Sequence, residues 1–188
     1  MPQKSPKSIE KKNVVSPFAA LFAEEERHRE FELRAQAYRE IESGKDSVNH
    51  ADLKTAKRHF KNSIEILPTA EGYTYYAWML SFEGEYDEAI TLCKKAIEHD
   101  AEFGNPYNDI GSYLVAKGEV EEAITWFERA KGAKKYEPRH FPYANLGRVY
   151  LKKGMLLKAR EEFAEAAKIL PLSEEIQKIL DSIERGIN

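Results

Sequence analysis

This sequence has little of what catalysis, metal binding or secretion requires. Its 188 residues include one cysteine and five histidines. One cysteine cannot form an intramolecular disulfide, and Cys93 lies in an apolar pattern that predicts a buried side chain. No two histidines are three or four residues apart, and neither a glycine-rich phosphate loop nor a Gly-x-Ser-x-Gly elbow is present. We therefore expect no enzymatic activity, no metal and no cofactor.

Strong charge bias and long hydrophobic runs are also missing. The formal net charge is −3, so bulk electrostatics does not favour nucleic acid as a partner. The apolar run at 18–23 is too short for a signal peptide or a membrane span, and glutamates follow it directly. These features favour a cytoplasmic protein without membrane insertion. Residues 1–16 are rich in Lys, Ser and Pro, and we expect them to form a disordered basic tail.

The chain repeats itself around three glycines. Gly84 and Gly118 are 34 residues apart, and Gly118 and Gly154 are 36 apart, which is the length of one helix–turn–helix unit. The residues that align around them are Tyr73, Ala77, Leu80, Ala89, Cys93 and Ala96; Tyr107, Gly111, Leu114, Ala123, Phe127 and Ala130; and Tyr143, Gly147, Tyr150, Ala159, Phe163 and Ala166. Small residues let two helix backbones approach and large ones fill the space between them, so the pattern predicts packed helix pairs.

This pattern resembles the tetratricopeptide repeat family, whose frame of large and small residues ending in proline is met best by the last unit, through Pro171. The resemblance implies an all-α fold, an α-α superhelix (solenoid) of helix pairs. We expect three repeats over 69–171. Their helix pairs are predicted at 70–83 with 87–99, 105–117 with 120–132, and 141–153 with 156–169.

Both ends of the chain depart from the regular frame. Residues 17–68 predict an N-terminal helix and an irregular first repeat. The helix runs from about 24 to 43 and ends at Gly44, and 45–49 form an extra connector. At the other end, 172–188 predict a capping helix whose apolar face covers the open end of the solenoid.

In this family the first helix of each unit lines a concave groove, and the resemblance implies nine partner-binding residues. They are Thr74, Trp78, Phe82, Asn105, Asn108, Ser112, Phe141, Arg148 and Lys152. Two aromatic residues four positions apart form an apolar platform, and the asparagines suit a peptide backbone. Arg148 and Lys152 favour an acidic residue or a C-terminal carboxylate. The implied ligand is a short protein segment, apolar and then acidic.

Two functions fit such a groove. One is an adaptor or assembly scaffold that binds a peptide, and the other is a small secretion-type or client-specific chaperone. A heat-shock co-chaperone is disfavoured, because the places where one subclass grips a carboxylate hold Thr74, Trp78 and Asp109 here. Trp78 can instead pack against the first unit, and the two groove cations can instead pair with glutamates of neighbouring helices.

A short apolar stripe precedes the repeats. Phe18, Leu21 and Phe22 recur at helical spacing, but the stripe is too short to stand alone in water. It can dock in the groove of its own chain, in the groove of a second copy, or on an unrelated partner. Self-association through these three residues is therefore one expectation.

Overall fold

The computed structural model describes residues 17–187, apart from the side chains of Pro17 and Ala20, as a succession of antiparallel helices. The helices are α1 (Pro17–Asn49), α2 (Leu53–Ile66), α3 (Ala70–Phe82), α4 (Tyr86–His99), α5 (Asn105–Lys117), α6 (Val120–Lys131), α7 (Phe141–Lys152), α8 (Leu156–Ile169) and α9 (Glu174–Ile187). Each packs on the next along the chain. The predicted all-α class is confirmed, whereas the basic tail at 1–16 lies outside the described residues.

The three glycines mark turns of one kind. Gly84, Gly118 and Gly154 have φ angles of 80°, 85° and 70°, in the left-handed region that favours glycine. After each of them, the next amide donates to a carbonyl five residues back, as in a Schellman helix end. These bonds join Glu85 to Leu80, Glu119 to Leu114 and Met155 to Tyr150, at 3.1, 2.8 and 2.9 Å.

One tight contact holds each of the last two pairs together. A Cβ atom on Gly111 would lie 2.6 Å from the ring of Phe127, and a Cβ on Gly147 would lie 2.6 Å from the ring of Phe163. Both phenylalanines are fully buried. The small residue of the first helix thus lets the large residue of the second reach the opposite backbone.

The first helix of the first repeat corrects the expectation that it ends at Gly44. The helix continues to Asn49, so the predicted connector is its last turn. A Cβ on Gly44 would lie 2.4 Å from the ring of Phe60, sixteen residues later, as in the Gly111 and Gly147 contacts. Gly44 is therefore a site of close helix approach and not a helix end.

The turn of this first repeat is formed by an alanine. Ala51 has a φ of 60°, and its position, 33 residues before Gly84, matches the glycine spacing. The amide of Asp52 donates to the carbonyl of Ser47 at 2.9 Å, the same bond five residues back. The turn between α1 and α2 is therefore of the same kind as the three glycine turns, although α1, with 33 residues, is longer than the first helices of the other pairs.

The two ends of the array differ in their packing. At the C-terminal end, α9 packs on α8, and Ile176 and Ile183 are buried beside Phe163. At the N-terminal end, Phe18, Phe22 and Phe31 of α1 are exposed. The apolar stripe therefore does not dock in the groove of its own chain in this structure. No helix within 17–187 is long and apolar enough to cross a membrane.

Candidate functional site

The first helices of the four pairs lie side by side, because α1 contacts α3, α3 contacts α5 and α5 contacts α7. We call the surface that these four helices form the first-helix face. The residue that follows each small packing residue lies at the same position on its helix. These residues are Lys45, Trp78, Ser112 and Arg148. At this position the face therefore carries a cation in the first and fourth repeats, an aromatic ring in the second and a hydroxyl in the third.

The aromatic end is built on the core of the first repeat. The ring of Tyr75 stacks on Phe60 at 5.0 Å, and Trp78 lies 6.4 Å from Tyr75. Trp78 is half-buried in the cluster that includes Phe60, so it packs against the first unit, as one of the two interpretations expected. Phe82, whose ring is 5.5 Å from Trp78, is 56% exposed.

Two of the nine expected residues are buried, which corrects their assignment as ligand contacts. Thr74 is 5% exposed, and its hydroxyl donates to the carbonyl of Ala70 at 2.8 Å. Asn108 is 8% exposed, and its Oδ1 accepts a hydrogen bond from Asn145 at 2.9 Å. Both lie three residues before the small packing residue of their helix, and the amide of Asn108 meets Asn145 of α7.

Asn145 is a residue of this face that the sequence did not indicate. Its Oδ1 accepts from Nη1 of Arg148 at 3.2 Å, and its Nδ2 donates to Asn108. Nη2 of Arg148 donates to Oε1 of Glu175 on α9 at 2.7 Å. A line of hydrogen bonds thus connects α9, α7 and α5. Asn145 precedes Gly147 by two residues, as Tyr75 precedes Ala77. This shared spacing is the sequence feature that could have indicated Asn145 as a residue of the face.

A cavity of about 240 Å³ lies between α5 and α7. It is lined by Ser112, Val115, Phe127, Asn145, Arg148, Val149 and Lys152, so it brings together three of the expected residues. Its apolar lining comes from two valines and a phenylalanine, and its polar groups come from the hydrogen-bonded line and the two cations. Within the described chain, no ion pair involves Lys152, whereas Arg148 is paired with Glu175.

Asn105 and Phe141 are not part of this cavity. They lie in the first turns of α5 and α7, and Phe141 is exposed, with its ring 4.4 Å from His140. Phe141 and Lys152 mark the two ends of α7, about 16 Å apart along the helix axis. The expected residues thus span the whole length of the first helices.

Asp109 lies in the third repeat, beside the buried Asn108. Burial raises the pKa of Asp109 to about 7. Burial also raises the pKa values of Cys93, Tyr113 and Tyr136, and the charge of Asp109 adds to each rise. Cys93 is fully buried, and burial holds the pKa of its thiol well above the ordinary value. Between residues 17 and 187, no three His, Cys, Asp or Glu side chains converge to hold a metal ion.

The sequence and the helical fold of this chain are similar to those of known proteins. The model of the tetratricopeptide repeat matches residues 70–103, 105–136 and 142–171. Hsp70-Hsp90 organizing protein 1 of Arabidopsis thaliana is 34% identical over 98 residues, which cover 52% of this chain and only 16% of that protein. The structure of pilF from Pseudomonas aeruginosa superimposes with a TM-score of 0.73 at 22% identity, over 80% of this chain and 68% of that one.

A second solved structure has a similar helical fold with a peptide bound. The first tetratricopeptide domain of Spaghetti (RPAP3), bound to the HSP90 peptide SRMEEVD, superimposes with a TM-score of 0.56 at 17% identity. The alignment covers 63% of this chain and 92% of that one. At this identity the likeness concerns the fold alone. With the three matched repeats and the helix pairs described above, the chain belongs to the tetratricopeptide repeat family.

Proposed function

We propose that this chain is a protein-interaction module that binds a peptide segment of a partner along the first-helix face, as an adaptor or assembly scaffold. The observation that carries the proposal is the cavity between α5 and α7, which combines an apolar lining with the cations Arg148 and Lys152. A cavity of about 240 Å³ accommodates one apolar side chain, and the cations at its rim attract an acidic neighbour.

The proposed ligand is apolar and then acidic. Phe82 offers an exposed ring on α3, and Lys152 offers an unpaired ammonium at the end of α7. Peptide binding by the Spaghetti domain supports this class of ligand. We do not assign the HSP90 peptide to this chain, because Thr74 and Asp109 stand where the carboxylate-gripping subclass needs other residues. We also propose no catalytic activity.

The experiment compares two double variants in affinity capture followed by mass spectrometry. Phe82→Ser with Lys152→Glu changes the first-helix face, and Leu157→Ser with Arg160→Glu makes the same changes in kind on α8. Phe82 and Leu157 are 56% and 59% exposed, so neither change disturbs the core. We expect a partner to be lost from the first variant and retained by the second. A partner that both variants retain would place the binding site elsewhere.

A client-specific chaperone is the second candidate, favoured by the exposed aromatic residues of α1. Such a protein would keep an aggregation-prone client in solution when the two are co-expressed, and Phe18→Ser with Phe22→Ser would abolish that effect.

We also propose self-association through Phe18, Leu21 and Phe22. Sedimentation of the same variant, compared with the wild type at several concentrations, tests it, and an unchanged mass distribution argues against it.

A further inference from the structure

The C-terminal helix reaches the first-helix face through one carboxylate. Glu175 lies in the first turn of α9, and its Oε1 accepts a hydrogen bond from Arg148 Nη2 at 2.7 Å. The adjacent Ile176 is buried against α8, so the backbone that carries Glu175 is anchored. Its other neighbour, Glu174, pairs with Lys178 of its own helix at 3.1 Å. Of these two acidic residues, Glu175 is therefore the one that contacts the first-helix face.

The carboxylate of Glu175 lies beside the cavity between α5 and α7. Arg148 lines the cavity between α5 and α7, and Nη1 of the same guanidinium donates to Asn145, another lining residue. A carboxylate on Nη2 thus lies beside an apolar cavity, next to a guanidinium that a hydrogen bond already orients. Lys152, one helical turn further along α7, is available for a second acidic group.

The contact is suited to exchange. The side chains of Arg148 and Glu175 are 47% and 69% exposed, and exposed ion pairs contribute little to stability. An incoming carboxylate that also places an apolar side chain in the cavity makes contacts that Glu175 does not make. It therefore displaces Glu175 at small cost, whereas a neutral segment gains nothing from Arg148.

We propose that Glu175 is an intramolecular substitute for the carboxylate of the ligand, so that the first turn of α9 occupies the anion subsite at Arg148 until an acidic partner segment displaces it. This inference rests on the proposed function. It gives α9 a role beyond covering the end of the array: it competes for the cation that selects the ligand. The ligand carboxylate is either an acidic side chain or a chain terminus.

The test titrates three peptide probes into the full chain. Binding is measured by NMR from the shifts of the Arg148 Nε and Asn145 Nδ2 signals. The probes are acetyl-Leu-Gly-Glu-Glu-amide, its Gln-Gln counterpart, and that neutral counterpart with a free C-terminal carboxylate. The variants are Glu175→Gln and the matched control Glu174→Gln, which makes the same charge change in the same turn. Sodium acetate, titrated at constant ionic strength, measures the anion subsite without any peptide.

We expect Glu175→Gln to raise the affinity for the acidic probe about two- to fivefold, as fits the loss of one exposed pair, and Glu174→Gln to leave it unchanged. A gain for the Glu-Glu probe assigns the subsite to a side chain, and a gain for the free-acid probe assigns it to a terminus. Three results would overturn the inference: no gain in Glu175→Gln for either acidic probe, equal gains in both variants, or an equal gain for the neutral amide. A different result would contradict the proposed function. In it, acetate binds at Arg148 in Glu175→Gln, but neither the wild type nor any variant binds a peptide probe.

Discussion

Replacing Ala51 with glycine should stabilise the protein. Ala51 is the residue with positive φ outside glycine in the described chain, at 60°, and it stands where the other turns have glycine. A left-handed backbone brings the Cβ of an L-residue close to the following carbonyl oxygen. Glycine lacks that Cβ, so Ala51→Gly removes the strain while the Asp52 to Ser47 hydrogen bond of the turn remains.

The size of the effect follows from two opposed terms. The left-handed conformation costs an alanine roughly 1–2 kcal/mol. Glycine makes the unfolded chain more flexible, which costs about 0.4–1 kcal/mol. Ala51 is exposed, so few apolar contacts are lost with its methyl group. The net gain in the free energy of unfolding is about 0.5–1 kcal/mol, or roughly 1–4 °C in Tm for a chain of this length.

Thermal unfolding followed by circular dichroism measures the change, and hydrogen exchange of α2 amides localises it to the first repeat. The matched control is Ala101→Gly, since Ala101 is also exposed, also lies in a turn and does not have a positive φ. The control should be destabilised by the unfolded-state term alone, about 0.4–1 kcal/mol. If Ala51→Gly lowers Tm as the control does, the equivalence of the four turns is wrong.

Three further changes test the packing and the buried charges. Gly44→Ala should destabilise by about 1–3 kcal/mol in chemical denaturation, because its Cβ would overlap the Phe60 ring; no effect would mean that the two helices do not approach as described. Burial raises the pKa of Asp109 to about 7, so the folded state holds a proton that the unfolded state releases above about 4, and stability falls as pH rises between these values. Asp109→Asn should remove that fall, as urea denaturation at pH 5 and pH 8 would reveal, and an unchanged slope would contradict it. Lys131→Met should lower the free energy of unfolding by about 3 kcal/mol, because Glu162 is largely buried and loses the cation that lies 2.8 Å away. Adding Glu162→Leu should restore most of that free energy in the same denaturation assay.

The helix pairs could be predicted from the chain because their signals are local. Alternating large and small residues around Gly84, Gly118 and Gly154 gave helix bounds within one residue of those observed. The predicted end of α1 at Gly44 is wrong for a physical reason. A glycine late in a helical segment is typical of a helix end, and only the position of Phe60 shows that Gly44 is a packing contact. The strained turn at Ala51 gave no sequence signal, since alanine is ordinary in helices.

The candidate site was predicted less completely than the fold. The resemblance placed Ser112, Arg148 and Lys152 on one face, and the cavity brings these three together. It did not distinguish exposed from buried positions, because Thr74 and Asn108 lie on the same helices as the exposed residues but are buried. The other seven expected positions remain a prediction about ligand contacts, and the cytoplasmic location remains a prediction as well.

The sequence by itself determined the family, the helical class and the repeat length, because each depends on spacing within about forty residues. Tertiary structure decided which side chains meet across repeats. Asn145 meets Asn108 over 37 residues, and Arg148 meets Glu175 over 27, through helices that are not paired in one repeat. Spacing indicates which face of a helix a residue occupies. It does not indicate which charged group from another repeat or from the terminal helix lies opposite that face, because this depends on how successive pairs stack.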